Sequence, residues 1–345
     1  MLDASGIGVY IRECLPYFLS TAHKFFIIGS KDRLEGFVKE KANVTILDCF
    51  LKPFSTKEII VFPKTIIKKI NSGDIYYSPY FNIPPGIKVP IYTTIHDIIF
   101  PDMPEITSKP GLAARMFCYK RAYKYSKKIF TVSEFSKTRI QYFLGNKVPI
   151  VVTHSAIQPH FLNFDTSNIH KKETIIFIGN IKRHKGLWCL LDAFFEARAA
   201  GLKHKLIIVG EKNNFRSQDT ESLALLENVD PSVVEFTGFI SDTKLMQLLS
   251  EAALLVQPTL YEGFCLPPLE ALVLGTKALI SDIPVLKEIY AGYPVEFFKT
   301  GDSTDLKEKL LSMLLNKPPE HITLPHDLKT KYTFDKTFKT ITENL

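Results

Sequence analysis

Short apolar runs alternate with segments of helical periodicity along most of the chain. In the second half, residues 174–179 and 206–210 are apolar runs that end in glycine, and residues 187–200 between them carry helical spacing. This order predicts parallel strands joined by crossover helices. The same pattern predicts strands at 24–29, 44–47, 74–79, 89–95, 128–132, 148–152, 233–237, 254–257 and 277–281. We therefore expect an α/β protein.

Helical spacing fills several of the intervals between these strands. The 345 residues are enough for two domains with separate cores. Residues 163–172 are polar and lack periodicity, which indicates a linker between the two domains. Further helices are predicted at 59–70, 111–128, 222–228, 242–252 and 334–345.

The stretch 257–272 follows a predicted strand and contains two carboxylates. Pro267 and Pro268 open a helical pattern, so we expect a strand, a loop and a helix N-terminus. Free backbone N–H groups there suit a ligand rich in hydroxyls or phosphate oxygens. Glu262 lies in the loop and Glu270 about one turn into the helix. A glutamate in a first helical turn also simply complements the dipole, so the pair alone leaves both interpretations open.

A second polar stretch, the basic run Lys-Arg-His-Lys at 182–185, lies between the strand 174–179 and the helix 187–200. Basic side chains at a helix start are electrostatically unfavourable unless an anion occupies the site. The run therefore favours diphosphate binding over a merely solvated loop.

His96-Asp97 follows the predicted strand 89–95, at the edge where ligands of open α/β sheets bind. A histidine at a strand end also serves as a structural hydrogen-bonding residue, so both roles stay open. Near the start, Gly6-Ile7-Gly8 opens an amphipathic helix. The third glycine of a dinucleotide fingerprint is absent there, and as a cofactor motif this segment is weak.

The net charge of +7 is concentrated in the first half of the chain. Residues 1–150 contain 22 Lys and Arg against 12 Asp and Glu. Anionic lipid headgroups, a phosphate-linked acceptor or a solvated surface each fit this excess. No zinc-finger, helix-turn-helix or RNP-type pattern accompanies the charge, so nucleic acid ranks last. The predicted helix 111–128 adds a basic face suited to a membrane surface or to solvent, formed by Lys120, Lys124, Lys127 and Lys128.

Cysteine usage and hydropathy indicate the cellular compartment of the protein. The five cysteines are scattered and form no C-x-x-C pair, which argues against a disulfide framework and a structural zinc site. No run approaches 18 apolar residues, and the N-terminus lacks a signal-peptide pattern. We expect a cytoplasmic protein, with peripheral contact to the inner face of an anionic membrane as an alternative.

Five ordered segments resemble family 4 of the retaining, nucleotide-sugar-dependent glycosyltransferases. They are S-G-I-G-x-Y at 5–10, T-I-H-D at 94–97, V-S-E-F-S at 132–136, G-N-x-K-x-H-K at 179–185 and E-G-F-C-L-P at 262–267. The last segment departs from the family's E-G-F-G-L-P at Cys265.

This resemblance implies the GT-B fold, in which two Rossmann-like parallel-sheet domains face each other across a cleft. It implies an N-terminal acceptor domain at 1–160, a nucleotide-sugar domain at 161–325, and a C-terminal helix at 326–345 that crosses back to the first domain. The chain starts where the loop after the family's first strand should be. We therefore expect the first strand of the N-terminal domain to be missing.

The resemblance also implies residue roles. His96 faces the donor sugar, Lys185 contacts the leaving diphosphate and Glu262 positions the sugar. The family commonly has arginine at the position of Asn180, and whether Lys182 or Arg183 replaces it stays open. Glu270 would bind the ribose, and Phe239 and Ile240 would border the base. The full set of donor-binding residues is Gly179, Asn180, Arg183, Phe239, Ile240, Gly263, Phe264, Cys265, Leu266 and Glu270, with Gly6 and Gly8 on the acceptor or phosphate side.

The implied reaction is retaining transfer of a hexosyl, in motif style a mannosyl, group in surface polysaccharide (lipopolysaccharide) synthesis. GDP-mannose or a UDP-sugar would be the co-substrate, and a saccharide or polyprenyl-diphosphate-linked hydroxyl the acceptor. No Asp-x-Asp triplet follows a strand, so we expect neither metal nor cofactor, and protein cations would stabilise the leaving group. Two alternatives are an inactive or truncated nucleotide-sugar-binding subunit and a GT-B epimerase, which would need further acid/base carboxylates.

Overall fold

The computed structural model describes residues 6–38, 42–53, 55, 57–210, 219–226, 229–322 and 327–345. Ser5 of the first motif, residues 227–228 of an expected helix and residue 326 lie outside them. The chain forms two compact units. Unit 1 comprises the residues up to Pro104 together with Ser108–Ala156 and Thr333–Leu345, and unit 2 comprises Glu105–Thr107 and Ile157–Tyr332. The sequence places the borders after residues 160 and 325, whereas the structure changes unit after Ala156 and Tyr332.

Unit 1 contains two parallel sheets. Strands β1 and β2 pair with each other, and β3 to β6 form a second sheet in chain order. No strand precedes the first helix within the described part of the chain. The strands are β1 (Phe25–Gly29), β2 (Val44–Asp48), β3 (Tyr76–Ser78), β4 (Ile91–Thr94), β5 (Ser126–Thr131) and β6 (Ile150–Val152). The helices before residue 157 are α1 (Gly6–Leu19), α2 (Lys31–Val38), α3 (Lys57–Ile60), α4 (Lys64–Ile70), α5 (Ile99–Asp102), α6 (Lys109–Tyr125) and α7 (Glu134–Leu144).

Two predicted helices of unit 1 have the wrong bounds. The segment 59–70 is interrupted before Pro63, which has no N–H to donate and disfavours helical geometry in the residue before it. The helix predicted at 111–128 ends at Tyr125, because the chain continues as β5 paired with β4. Lys127 and Lys128 therefore lie in a strand and are not part of a helical basic face.

Unit 2 is a six-stranded parallel sheet in the order β12-β11-β10-β7-β8-β9. This is a doubly wound order in which the winding reverses between β7 and β10. The strands are β7 (Lys172–Ile178), β8 (Lys205–Val209), β9 (Val234–Gly238), β10 (Ala252–Gln257), β11 (Lys277–Ser281) and β12 (Val295–Phe298). The helices are α8 (Pro159–Leu162), α9 (Leu187–Ala199), α10 (Thr220–Leu225), α11 (Asp242–Glu251), α12 (Pro267–Val273), α13 (Pro284–Tyr290), α14 (Ser303–Leu314) and α15 (Leu328–Lys331).

The core of unit 2 explains why its strands are apolar without alternation. All six residues of β10 are buried, as are Ile175 and Phe177 of β7. Helices cover both faces of a doubly wound sheet, so residues that point to either side must be apolar. On one face, Phe194 of α9 and Leu310 of α14 belong to the same fully buried cluster.

The last helix, α16 (Phe334–Thr342), belongs to unit 1 and packs against α1. Phe334 and Ile341 are buried, and the rings of Phe338 and Phe18 meet edge to face with centroids 5.0 Å apart. Neither α16 nor any other helix in the described ranges is long and apolar enough to cross a membrane.

Gly186 makes the closest backbone approach at the start of α9. Its φ is 65°, and a Cβ there would lie 2.0 Å from the carbonyl oxygen of Pro258. Gly238 has a φ of 67° but no atom within 4 Å of an added Cβ. Alanine incurs left-handed strain of about 1–2 kcal/mol at both positions. Because only Gly186→Ala also displaces backbone, we expect it to lower the free energy of unfolding by about 1–3 kcal/mol more than Gly238→Ala. Urea denaturation measures both, and equal losses would contradict the close approach.

Candidate active site

Two loops meet at the point of unit 2 where the winding of the sheet reverses. The basic loop, residues 179–186, follows β7, and the motif loop, residues 258–266, follows β10. The carbonyl oxygen of His184 accepts hydrogen bonds from the backbone N–H of Leu260 at 2.7 Å and from Thr259 Oγ1 at 3.0 Å. These bonds fix the two loops to each other at the carboxyl edge, where doubly wound sheets bind ligands.

An ion pair joins the two loops through side chains. Lys185 Nζ and Glu262 Oε1 are 2.6 Å apart, and the side chains are 23% and 13% exposed. Two of the three residues expected to be catalytic are therefore in direct contact. Their residual exposure leaves both charged groups accessible to a ligand.

The other residues of the basic loop differ in charge and exposure. Burial, reinforced by Lys185 and Lys182, lowers the pKa of His184 to about 3, so this imidazole is neutral at physiological pH. Arg183 is exposed and Asn180 is half-buried. The loop therefore offers three cationic side chains, with a neutral histidine whose carbonyl group is structural.

Cys265 occupies a strained backbone position. Its φ is 75°, in the left-handed region that favours glycine, which is the residue the resembled family has there. The Tyr290 hydroxyl donates a hydrogen bond to the Cys265 carbonyl group, and the thiol is hydrogen-bonded to the Glu262 carboxylate. Burial and the nearby Glu262 raise the pKa of this thiol well above its usual range. The thiol is therefore protonated and able to donate to Glu262.

The remaining residues of the motif are mostly buried. Gly263 and Phe264 are buried, and the Phe264 ring contacts the Tyr332 ring with centroids 5.5 Å apart. Leu266 precedes the first turn of α12 and is half-buried. These contacts hold the backbone of the motif loop in one conformation.

Glu270 lies in the first turn of α12 and is 7% exposed. Burial, with a smaller contribution from Asp242, raises the pKa of its carboxyl group to about 7. This group therefore changes charge near neutral pH, unlike an ordinary surface glutamate.

Three expected donor-binding residues lie beside this cluster. Gly179 follows β7 and donates its N–H to the carbonyl oxygen of Val209 at 2.9 Å. Phe239 and Ile240 follow β9, which is separated from β7 by β8. The Phe239 ring is 78% exposed. Gly179 thus belongs to the basic loop, whereas Phe239 and Ile240 lie at the same sheet edge but two strands away from it.

His96 lies in unit 1, directly after β4. Its Nε2 is 3.0 Å from the carbonyl oxygen of Pro79, and because a carbonyl only accepts, Nε2 carries the proton. Burial lowers the pKa of this imidazole to about 4. His96 is therefore neutral at physiological pH, with Nδ1 as an acceptor.

A contact network around His96 was not predicted from the sequence. The Tyr10 ring of α1 meets the imidazole edge to face at 4.9 Å, and its hydroxyl lies 3.4 Å from that of Tyr77. Tyr77 in turn hydrogen-bonds Thr94 Oγ1 at 2.7 Å. Gly6 and Gly8 occupy the first turn of α1, with Gly6 exposed and Gly8 buried. No spacing rule connects Tyr10 with His96, since only the tertiary fold brings them together.

The described side chains include no group of three or more His, Cys, Asp or Glu residues placed to hold a metal ion.

Solved structures share this fold over nearly the whole chain. A sucrose-phosphate synthase from Thermosynechococcus elongatus has a TM-score of 0.70 at 14% identity, covering 99% of this chain and 93% of that one. Anabaena Alr3699/HepE in complex with UDP-glucose has a TM-score of 0.68 at 15% identity, covering 99% and 97%. These are GT-B glycosyltransferases, and the likeness confirms the expected GT-B fold.

The sequence comparisons agree with this fold. Residues 161–330 match the family Glycosyl transferases group 1, which confirms the resemblance. O-antigen chain mannosyltransferase B of Escherichia coli is 26% identical over 231 residues, 62% of this chain and 58% of that protein. O-antigen chain mannosyltransferase RfbU of Salmonella typhimurium is 27% identical over 221 residues, 64% and 59%. The matched regions span less than two thirds of either relative.

The strain at Cys265 gives a stability prediction. Cys265→Gly should raise the free energy of unfolding by about 1 kcal/mol, because glycine adopts a positive φ without the penalty of a Cβ. Cys265→Ala keeps the Cβ and should give no gain. Chemical denaturation of the three proteins tests this, and a glycine variant no more stable than the alanine variant would refute the strain.

The raised pKa of Glu270 gives a pH prediction. The folded state binds this proton more tightly than the unfolded state, so the stabilisation is complete below pH 4.5 and is lost as pH rises through 7. Relative to the natural protein, Glu270→Gln should therefore gain up to about 3 kcal/mol between pH 5 and pH 8. Denaturation at several pH values measures the difference. Glu308→Gln, on the exposed side of α14, is the control and should show no such trend; a parallel trend in both variants would exclude Glu270 as its source.

Proposed function

We propose that the protein is a retaining glycosyltransferase that transfers a hexosyl group from a nucleotide diphosphate sugar to an acceptor hydroxyl. The observation that supports this most directly is the contact between Lys185 and Glu262 across the two loops of unit 2. A cation and a carboxylate held side by side offer one partner for a phosphate oxygen and one for sugar hydroxyls. The match of residues 161–330 to Glycosyl transferases group 1 supports the same reaction class.

In the proposed reaction, Lys185 binds the diphosphate and stabilises the charge that develops on its leaving oxygen. Glu262 accepts hydrogen bonds from sugar hydroxyls and orients the ring. The glycosidic C–O bond to phosphate breaks while the acceptor oxygen bonds to the same face of the sugar, and the acceptor proton passes to the leaving phosphate oxygen. Glu262 is then a positioning residue and not the nucleophile of a two-carboxylate scheme. Protein cations replace a metal ion in this proposal.

The neutral state of His96 suits a hydrogen-bonding role. With Nε2–H committed to the Pro79 carbonyl group, Nδ1 can accept a hydrogen bond from a hydroxyl. A pKa of about 4 keeps the imidazole uncharged, so it adds no positive charge beside the sugar. We assign His96 to sugar recognition and Glu270 to the ribose. Phe239 and Ile240 would lie beside the base. The diphosphate and sugar would be contacted by Gly179, Asn180, Arg183 and the backbone of residues 263–266.

The names of the relatives support a particular sugar and acceptor class. Two of them are O-antigen chain mannosyltransferases. A third, from Campylobacter jejuni, is an N-acetylgalactosaminyltransferase whose name specifies a diphospho-undecaprenol acceptor; it is 32% identical over 151 residues, 43% of this chain and 37% of that protein. We therefore propose mannosyl transfer from GDP-mannose, with a UDP-sugar as the alternative donor, to a saccharide or polyprenyl-diphosphate-linked acceptor in the cytoplasm.

One residue favours a second candidate, a nucleotide-sugar-binding subunit without transferase activity. Asn180 stands where the resembled family commonly has an arginine for the diphosphate. Arg183 is exposed and Lys182 half-buried in the same loop, and either can supply the missing cation. If the protein binds a nucleotide sugar but transfers no sugar, and Glu262→Ala does not change the transfer rate, this second candidate would be favoured.

The test begins with thermal shifts in GDP-mannose, UDP-glucose and UDP-N-acetylglucosamine, because a ligand that binds only the folded state raises the melting temperature. Lys185→Gln should weaken binding of the preferred donor by about 10- to 100-fold, the usual effect of losing a hydrogen bond to a charged group. Glu262→Gln should lower the transfer rate by a comparable factor while diphosphate binding persists.

Lys172 provides a matched control for this experiment. It forms an ion pair with Glu251 of the same length, 2.6 Å, but at the start of β7 rather than after its end. Lys172→Gln should leave donor affinity and transfer unchanged. No thermal shift with any GDP- or UDP-sugar, or equal effects of the two lysine variants, would overturn the donor assignment.

A further inference from the structure

Three large apolar side chains of unit 1 project into solvent close to one another in the sequence. Phe50 is 79% exposed, Ile60 74% and Val61 57%. We call these three residues the apolar tip. Phe50 follows β2, Ile60 ends α3 and Val61 comes directly after α3. Exposed apolar groups of this size commonly mark a binding surface when they cluster.

Chain neighbours of the tip residues belong to one small cluster of unit 1. Cys49 and Ile66 are buried in one small cluster, and Leu51 and Phe62 pack against it. Phe50 therefore lies between two residues anchored in this cluster, and Val61 lies beside a third. Phe50 and Val61 are therefore both anchored through adjacent residues to this cluster, and Ile60 is next to Val61.

The charged residues close to the tip in the sequence are mostly basic. Between residues 49 and 73 the sequence contains five lysines and a single acidic residue, Glu58. Glu58 is 5% exposed and accepts a hydrogen bond from Asn82 Nδ2 at 2.7 Å and another from the Tyr80 hydroxyl. Asp48 and Asp74 flank the segment, and Asp48 is bonded to the backbone N–H of Lys31. The five lysines are exposed: Lys52, Lys57, Lys64, Lys68 and Lys69.

We propose that the apolar tip docks onto an anionic lipid bilayer, with the lysines on the headgroups and Phe50, Ile60 and Val61 in the interface. Apolar side chains gain from entering the boundary between headgroups and acyl chains, and each adjacent lysine gains from the negative surface potential. A second copy of this chain fits less well, since a symmetric contact would bring the same lysines face to face.

The tip is connected to the expected active site of the same unit. Glu58 of α3 binds Tyr80 and Asn82, which follow β3, and the Pro79 carbonyl group next to them accepts the hydrogen bond of His96. A docked tip would therefore hold the His96 edge of the sheet near the membrane. The link between docking and the active site rests on the proposed function, because it assigns the acceptor to the lipid-linked class. The docking of the tip onto a bilayer does not depend on the proposed function.

Vesicle flotation without any donor sugar tests the docking separately from the reaction. At about 0.1 M salt, where charges act over about 10 Å, the full chain should float with vesicles that contain phosphatidylglycerol and bind pure phosphatidylcholine at least about tenfold more weakly. Lys57→Gln combined with Lys64→Gln should weaken binding to the anionic vesicles by roughly 10- to 30-fold. Phe50→Ser combined with Ile60→Ser should weaken it by at least about tenfold.

Matched variants elsewhere on unit 1 serve as controls. Tyr142→Ser removes an aromatic ring that is 73% exposed on α7, and Lys120→Gln with Lys124→Gln removes two charges from α6. Both should leave vesicle binding unchanged. The substituted tip residues are exposed, so the melting temperatures of the variants should stay close to that of the natural protein. The lysine variant tests the docking a second time without changing any apolar side chain.

Several results would overturn the proposal. Equal flotation of the tip variants and the natural protein would exclude the tip, and loss of binding only in the α6 variant would move the docking surface to that helix. Concentration-dependent dimerisation that Phe50→Ser abolishes would identify a second copy as the occupant. Vesicle binding that persists while no nucleotide sugar binds would support the docking surface and refute the proposed function, so the two ideas fail separately.

Discussion

The candidate site of unit 2 depends on a backbone contact between two loops that are more than seventy residues apart in the chain. The His184 carbonyl group receives two hydrogen bonds from the motif loop, and Gly186 lets the backbone at Pro258 approach without a Cβ between them. Both loops leave neighbouring strands where the winding reverses, so no helix lies between them. Lys185 reaches Glu262 because this backbone contact is already made.

Burial sets the protonation states of the titratable groups in both units. His96 and His184 are neutral because an imidazolium loses hydration when buried, and Glu270 holds its proton up to about pH 7 for the same reason. The charges that remain at the loops of unit 2 are those of the basic loop and of Glu262. The basic loop therefore carries three cationic side chains rather than four, with the Glu262 carboxylate beside them.

The sequence predicts the features that depend on neighbours in the chain. Largely apolar runs marked five of the six strands of unit 2, two of them ending in glycine, because buried parallel strands need no contribution from distant residues to be recognised. The strand β12 was missed, since Val295–Phe298 is short and contains a glutamate. The predicted helix bounds at 59–70 and 111–128 were wrong, because the proline at Pro63 and the strand pairing after Tyr125 override helical spacing. The Tyr10–His96 contact and the carbonyl group of His184 have no local signal at all.

In the proposed function, the pairing of Lys185 with Glu262 would make ligand binding an exchange of partners. A ligand that offers only phosphate can take the lysine, but it leaves a largely enclosed carboxylate without its cation, and this loss opposes binding. A ligand that offers only hydroxyls satisfies the carboxylate but gives the lysine nothing better than it already has. A molecule that carries both groups at the right separation replaces each partner at once. The resident ion pair would therefore discriminate against free nucleotides and free sugars, which are abundant competitors in a cell, before any residue contacts the base.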